Sequence, residues 1–191
     1  MHFAVERADI LIGRIKDLDI QSAVIIPKVS RGRWPNGVVA FEFSEDIPFI
    51  NKLATMQAID LWQRSSNVEF VELTSTNKEQ YPDYLCFIPA QGTQCSSHIG
   101  KQGGKQEVKL APRCNMMSTA HEIGHALGLW HEQSRLDRNQ YIRIVWDNID
   151  ADHRHNFDQH LTESKDYGPY NFDSLMHYSS KAFSINGEDT M

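Results

Sequence analysis

His121, Glu122, His125 and His131 are the residues whose types and spacing suit chemistry at a metal ion. Two histidines four apart on a helix project from one face, so both imidazoles can grip one cation. Glu122, lying between them, then reaches a water bound to that cation. His131 lies six positions past His125, and an unbroken helix advancing about 100° per residue would carry it to the wrong side. Gly128 supplies the remedy, because glycine tolerates the left-handed conformation that ends a helix and lets the chain swing His131 back. Three imidazoles and a water make an open tetrahedral site, the catalytic zinc pattern rather than the closed structural one.

Chance can write the short pattern but hardly the long one. In a shuffled chain of this composition, with its 9 histidines, HExxH arises in roughly 2% of cases. The pattern with the added glycine and third histidine arises about once in 16,000. The alternative, three core or surface histidines on an amphipathic helix, is therefore set aside.

The run His121-Glu122-Ile123-Gly124-His125-Ala126-Leu127-Gly128-Leu129-Trp130-His131-Glu132-Gln133-Ser134-Arg135-Leu136-Asp137-Arg138 resembles the signature of the astacin family of metzincin metalloendopeptidases. Glu132, Arg135, Asp137 and Arg138 match the family's residues after the third histidine. Ser174-Leu175-Met176-His177-Tyr178 resembles the family's Met-turn with its tyrosine. The pairing of Glu132 with Tyr178 separates this subfamily from other metzincins, and the resemblance runs from about Trp34 to the end of the chain.

That resemblance implies a metzincin α+β catalytic domain in two lobes. The upper lobe is a twisted, mostly parallel sheet with an antiparallel edge strand, a backing helix and the zinc helix. The lower lobe is largely irregular and contains the Met-turn. It implies one catalytic Zn2+ on His121, His125 and His131, with Tyr178 as a fifth ligand that swings away to hydrogen-bond the tetrahedral intermediate. Glu122 is the general base, taking a proton from water and passing it to the leaving amine. Met176 lies beneath the zinc as apolar packing. Glu132 pairs with a new N-terminal ammonium after propeptide removal, and its place beside His131 also suits it to orient that imidazole. Cys95 and Cys114 correspond to a family disulfide, whereas Asn67 stands where the first cysteine of a second one is expected. The edge strand, Cys95-Ser96-Ser97-His98-Ile99, would bind an extended peptide by strand addition.

The elements that must position these residues are legible in outline. Trp34-Pro35-Asn36-Gly37 reads as a turn launching the strand Val38 to Phe43. Apolar Phe49, Ile50, Leu53, Met56, Ile59 and Trp62 repeat at threes and fours over about Ile47 to Gln63, a backing helix whose stripe reads as core. Val68 to Leu73, Tyr84 to Ile88 and Gln106 to Leu110 read as strands, with Gly103-Gly104 a turn. The zinc helix starts at about Asn115 or Ser118 and ends at Leu127. Tyr141-Ile142-Arg143-Ile144 alternates, and a helical stretch follows through Asn148 to Phe157. His98 reads as a surface histidine, and His153, His155 and His160 as solvated, since their spacing makes no two-ligand face.

Residues 1–33 match the family least and read as a propeptide-like leader, with 34–191 the catalytic domain. Ile10, Leu11, Ile15 and Leu18 recur at helical spacing, and Ser22 to Val29 reads as extended and stopped by Pro27. Many family propeptides block zinc with the aspartate of a Phe-x-Gly-Asp pattern. The nearest counterpart, Lys16-Asp17-Leu18-Asp19, lacks both Phe and Gly, so Asp19 reads as a solvated helix-end carboxylate. A chain carrying this leader is expected to be a zymogen or partly matured. By resemblance, family catalytic domains continue beyond the equivalent of Met191.

The 191 residues suit one domain, or one domain with two lobes, with an ordinary 40% hydrophobic and 23% charged content. The net charge of −6 argues against a nucleic-acid partner held by phosphate neutralisation. No apolar run approaches the ~20 residues of a spanning helix. Phe3-Ala4-Val5 is followed at once by Glu6-Arg7, which is no signal peptide. The Cys95–Cys114 bridge implies an oxidising, extracellular setting, and Cys86 reads as a buried thiol. The expected partner is a peptide or protein substrate, met by a monomer. A zinc-stabilised binding module without catalysis is the alternative class, and Glu122 argues against it.

Overall fold

The computed structural model describes residues 3–4, 24–27, 32–159 and 164–191, which fall in two compact units. The first gathers Ser30–Gly128 with the short strand β1 (Phe3–Ala4). Its strands are β3 (Val38–Phe43), β4 (Glu69–Glu72), β5 (Tyr84–Pro89), β6 (Ser96–Ser97) and β7 (Lys105–Leu110). They form one sheet in the order β1-β6-β7-β5-β3-β4. The pairs β3–β4, β3–β5 and β5–β7 are parallel, while β6 runs antiparallel to β7 and β1 antiparallel to β6. Two helices complete the unit, α1 (Phe49–Ser65) and α2 (Met116–Ala126).

Burial follows the place of each strand. Val39, Ala40 and Phe41 of β3, and Leu85, Cys86 and Phe87 of β5, are buried as continuous runs, as central parallel strands require. Nearer the edge, β7 alternates, with Gln106, Val108 and Leu110 buried and Lys105 and Glu107 exposed. The Trp34 turn forms as expected, with Asn36 at φ 56° and Gly37 at φ 72° before β3 begins.

Of the six apolar residues read as core on α1, only two are buried. Phe49, Ile50, Leu53 and Met56 are 80%, 61%, 44% and 40% exposed, whereas Ile59 and Trp62 are buried. The buried face is instead Asn51, Ala54, Thr55, Ala58, Ile59, Leu61 and Trp62. Its small members allow close packing, and its polar members donate buried hydrogen bonds. Asn51 donates to the Ala111 carbonyl at 3.0 Å, Thr55 to the Asn51 carbonyl at 2.8 Å, and Trp62 to the Ala120 carbonyl of α2 at 2.9 Å. A periodicity that counts only greasy residues cannot see such a face.

The second unit gathers Leu129–Met191 with β2 (Val24–Pro27). β2 pairs antiparallel with β8 (Ser164–Tyr167), Val24 opposite Tyr167 and Pro27 opposite Ser164. This agrees with the extended reading of Ser22 to Val29 where it is described; the expected helix around Ile10 to Leu18, Asp19 and His160 lie outside the described residues. The rest is short 3-10 turns at Glu132–Ser134, Arg138–Gln140, Trp146–Asn148 and Ala151–Phe157 joined by irregular chain. Tyr141 to Ile144 belongs to no strand, and the next amide, Val145, bonds to the Thr190 carbonyl at 2.9 Å. Ile149, Phe157, Tyr178 and Ala182 form the core, with Ile144, Phe183 and Met191 against it.

Arg135 braces this irregular chain. Fully buried, it grips both carboxylate oxygens of Asp137 at 2.7 Å and donates to the carbonyls of Tyr167 at 3.3 Å and Gly168 at 3.0 Å. Asp137 is held below the ordinary aspartate range by the hydrogen bond from Arg135. Among the described residues no helix is long and apolar enough to cross a membrane.

Candidate metal centre

The zinc helix begins where its cap dictates. Asn115 is extended, and its side-chain oxygen accepts from the Ser118 amide at 2.9 Å, satisfying one orphan donor at the helix start. The other end is closed by several partners. The Leu127 amide reaches the Ile123 carbonyl at 2.9 Å, and the Gly128 amide reaches His125 at 2.8 Å. The Trp34 indole donates to the Ala126 carbonyl at 2.9 Å, and the Gly100 amide to the His125 carbonyl at 2.7 Å. Gly100 must be glycine, since its φ is 71° and a Cβ there would stand 2.7 Å from the Gly32 carbonyl oxygen.

Gly128 sits at φ 105°, so the helix stops as the spacing requires. One ligand atom from each of His121, His125 and His131 then lies within 4.8 Å of the others, and all three residues are buried. The imidazoles of His121 and His125 lie nearly perpendicular, 4.6 Å apart. Glu122 is 1% exposed, and its Oε2 is buried with no hydrogen-bond partner. Burial pushes its carboxyl up to about 8, against the opposing pull of the Ser97 backbone amide. A buried three-imidazole set with an unsatisfied carboxylate oxygen alongside fits a zinc ion carrying water.

The other expected residues are placed as follows. The Tyr178 ring lies 4.3 Å from that of His131, and Tyr178 and Met176 are each 2% exposed. Glu132 is fully buried. Its Oε1 accepts from the Asn171 amide at 3.1 Å and lies 3.6 Å from Arg135 Nε, while Oε2 has no partner. Burial outweighs the Asn171 hydrogen bond and the pull of Arg135 and lifts this carboxyl to about 8. Cys95 and Cys114 are bridged, and Cys86 is a buried free thiol. The edge strand is shorter than Cys95 to Ile99, because only Ser96–Ser97 hold ladder geometry before the chain turns at Gly100. A polar cavity of about 300 Å3 beside β6, lined by His98, Lys105, Glu107 and Lys109 among others, does not include the three histidines. His153 lies 3.4 Å from Asp150, and His155 is exposed.

A family model described as Astacin, a family of peptidases, matches residues 27–191. The chain belongs to the astacin family. It is 39% identical over 162 residues to zinc metalloproteinase nas-8 of Steinernema carpocapsae, covering 83% of this chain and 37% of that protein. It is 35% identical over 190 residues to zinc metalloproteinase nas-36 of Caenorhabditis briggsae, covering 93% and 30%. The chain thus spans about a third of the length of these relatives. Among solved structures it is similar to high choriolytic enzyme 1, a hatching-enzyme zinc protease from Oryzias latipes. The TM-score is 0.69 and the identity 30%, covering 83% of this chain and 78% of that one. Myroilysin, at 23% identity and TM-score 0.56, shares the fold.

Three astacin-site neighbours carry no sequence signal of their own. Gln133 Oε1 accepts the Tyr178 amide at 3.3 Å, the Tyr170 hydroxyl meets His177 Nε2 at 2.6 Å, and His177 Nδ1 meets the Tyr178 carbonyl at 2.6 Å. Gln133 and His177 stand inside the two quoted motifs, the one place where they could have been noticed. Desolvation holds His177 below its ordinary value.

Proposed function

We propose that this domain hydrolyses peptide bonds within extended polypeptides, using Glu122 as general base and Tyr178 as oxyanion donor. The observation that carries this reading is the buried Glu122 Oε2, unpartnered on the helix that presents His121 and His125. Zinc on His121, His125 and His131 would polarise the attacking water and the scissile carbonyl when bound. Glu122 takes the water proton on Oε2 as the oxygen attacks carbon, then delivers it to the departing amine nitrogen. As charge grows on the former carbonyl oxygen, the Tyr178 hydroxyl donates to it.

The substrate lies as an added strand along β6, whose outer edge is paired in this chain with β1: Phe3 opposite Ser97 and Ala4 opposite Ser96. That pairing supports a latent form in which the leader holds the edge a peptide needs. Glu132 Oε2 supports maturation, because a buried unpartnered carboxylate oxygen suits a new N-terminal ammonium. The Cys95–Cys114 bridge supports secretion into an oxidising compartment.

The test compares wild type with Glu122→Ala for zinc content and casein cleavage, each before and after trimming to near Lys28. Zinc kept and cleavage lost in the variant is the expected result, with wild type faster after trimming. Equal inertness of both trimmed proteins would favour a binding module, and an intact chain already fully active would remove the latent form.

A further inference from the structure

Both backbone polar groups of Tyr178 end on side chains. Its N–H donates to Gln133 Oε1 at 3.3 Å, and its carbonyl lies 2.6 Å from His177 Nδ1. A carbonyl oxygen has no proton to give, so Nδ1 of His177 carries one. In the neutral ring Nε2 is then bare, and the Tyr170 hydroxyl, 2.6 Å away, is the donor to it. The direction of the chain is fixed: Tyr170 O–H to His177 Nε2, His177 Nδ1–H to the Tyr178 carbonyl.

This relay is itself held in place. Tyr170 is 7% exposed and His177 6%. The Tyr170 ring is stacked on Tyr141, with centroids 4.7 Å apart and planes at 13°, and the Arg135 guanidinium lies 5.7 Å from it. Apolar side chains would fill the same volume without the cost of burying two polar groups. A plain packing role therefore leaves unexplained why two short bonds of set direction converge on this one carbonyl.

We propose that Tyr170 and His177 are positioning residues for Tyr178. They hold its main chain from the carbonyl side, as Gln133 does from the amide side, and so fix the place from which its phenol projects. A hydroxyl that donates to the developing oxyanion then reaches it from one place. The inference rests on the reading of Tyr178 as the oxyanion donor. The substitution Tyr170→Phe isolates it, since the ring that stacks on Tyr141 is kept and only the O–H is lost.

Two measurements test it. In the zinc-free full chain, imidazole nitrogen NMR should show His177 protonated at Nδ1 and bare at Nε2, the tautomer less favoured in free histidine. The opposite tautomer overturns the relay. In the peptide-cleaving form, Tyr170→Phe should lower kcat about tenfold with KM held within about twofold. His177→Asn, whose amide can still donate to the Tyr178 carbonyl, should lose less than His177→Ala. In a Tyr178→Phe background, Tyr170→Phe should cost almost nothing further. If Tyr178→Phe is slow and Tyr170→Phe costs the same in both backgrounds, the inference fails alone. If Tyr178→Phe leaves kcat unchanged, it falls together with the role given to Tyr178.

Discussion

The indole N–H of Trp34 donates to the carbonyl of Ala126 at 2.9 Å, one residue beyond the second zinc-site histidine. The last carbonyls of a helix lack intrahelical partners, and a buried one must find another. Trp34 supplies it from the turn ahead of β3, tying the start of that strand to the end of α2. Trp34→Phe should keep most of the apolar volume and leave the Ala126 carbonyl unsatisfied, a loss of ~1–3 kcal/mol. Thermal unfolding and zinc titration check this together: both stability and zinc affinity should fall. A variant as stable as wild type with unchanged affinity would show that the bond does not brace the site.

Gly128 carries the turn that brings His131 to the other two histidines, at a φ of 105° that side chains with a Cβ rarely adopt. Gly128→Ala should cost ~1–3 kcal/mol of strain. Part of that cost should appear as weaker zinc binding, because the chain relieves the strain by moving His131. Competition with a chelator of known affinity measures it. Gly124→Ala, a helical control inside α2, should not show the same link between geometry and His131.

Acid stability should depend on Asp137. The hydrogen bond from Arg135 lowers its folded pKa, so the folded state favours the ionised carboxylate. A carboxyl depressed in this way contributes its stability above the unfolded value of about 3.9 and loses it as pH falls through the folded value. Denaturant unfolding at pH 6 and below pH 3 should therefore show Asp137→Asn destabilised at the higher pH. The gap to wild type should narrow at the lower one. A constant gap across that window would contradict the assignment.

The clustered histidines and the glutamate beside them were legible in the chain because the chemistry read for them demands fixed spacing. His121, Glu122 and His125 need one helix face, and Gly128 needs to break it. The helix start was legible only to within a few residues, as Asn115 or Ser118, and the structure caps it at Asn115. The sheet was legible where apolar runs are continuous, at Val38 to Phe43 and Tyr84 to Ile88. Legibility ended where packing rather than periodicity chose the residue. On α1 the buried positions include Asn51, Ala54, Thr55 and Ala58, small or hydrogen-bonded residues, while Phe49 and Ile50 stand in solvent. It ended again in the second unit, where Arg135, Gln133 and the Tyr170–His177 relay hold irregular chain through long-range contacts that leave no local pattern.

X-ray absorption at the zinc edge of the metal-loaded protein tests the central claim most directly. It should report one zinc ion with three imidazole nitrogens, and two in His131→Phe. A wild-type ion with fewer than three imidazoles, or a spectrum unchanged by His131→Phe, would contradict the site described.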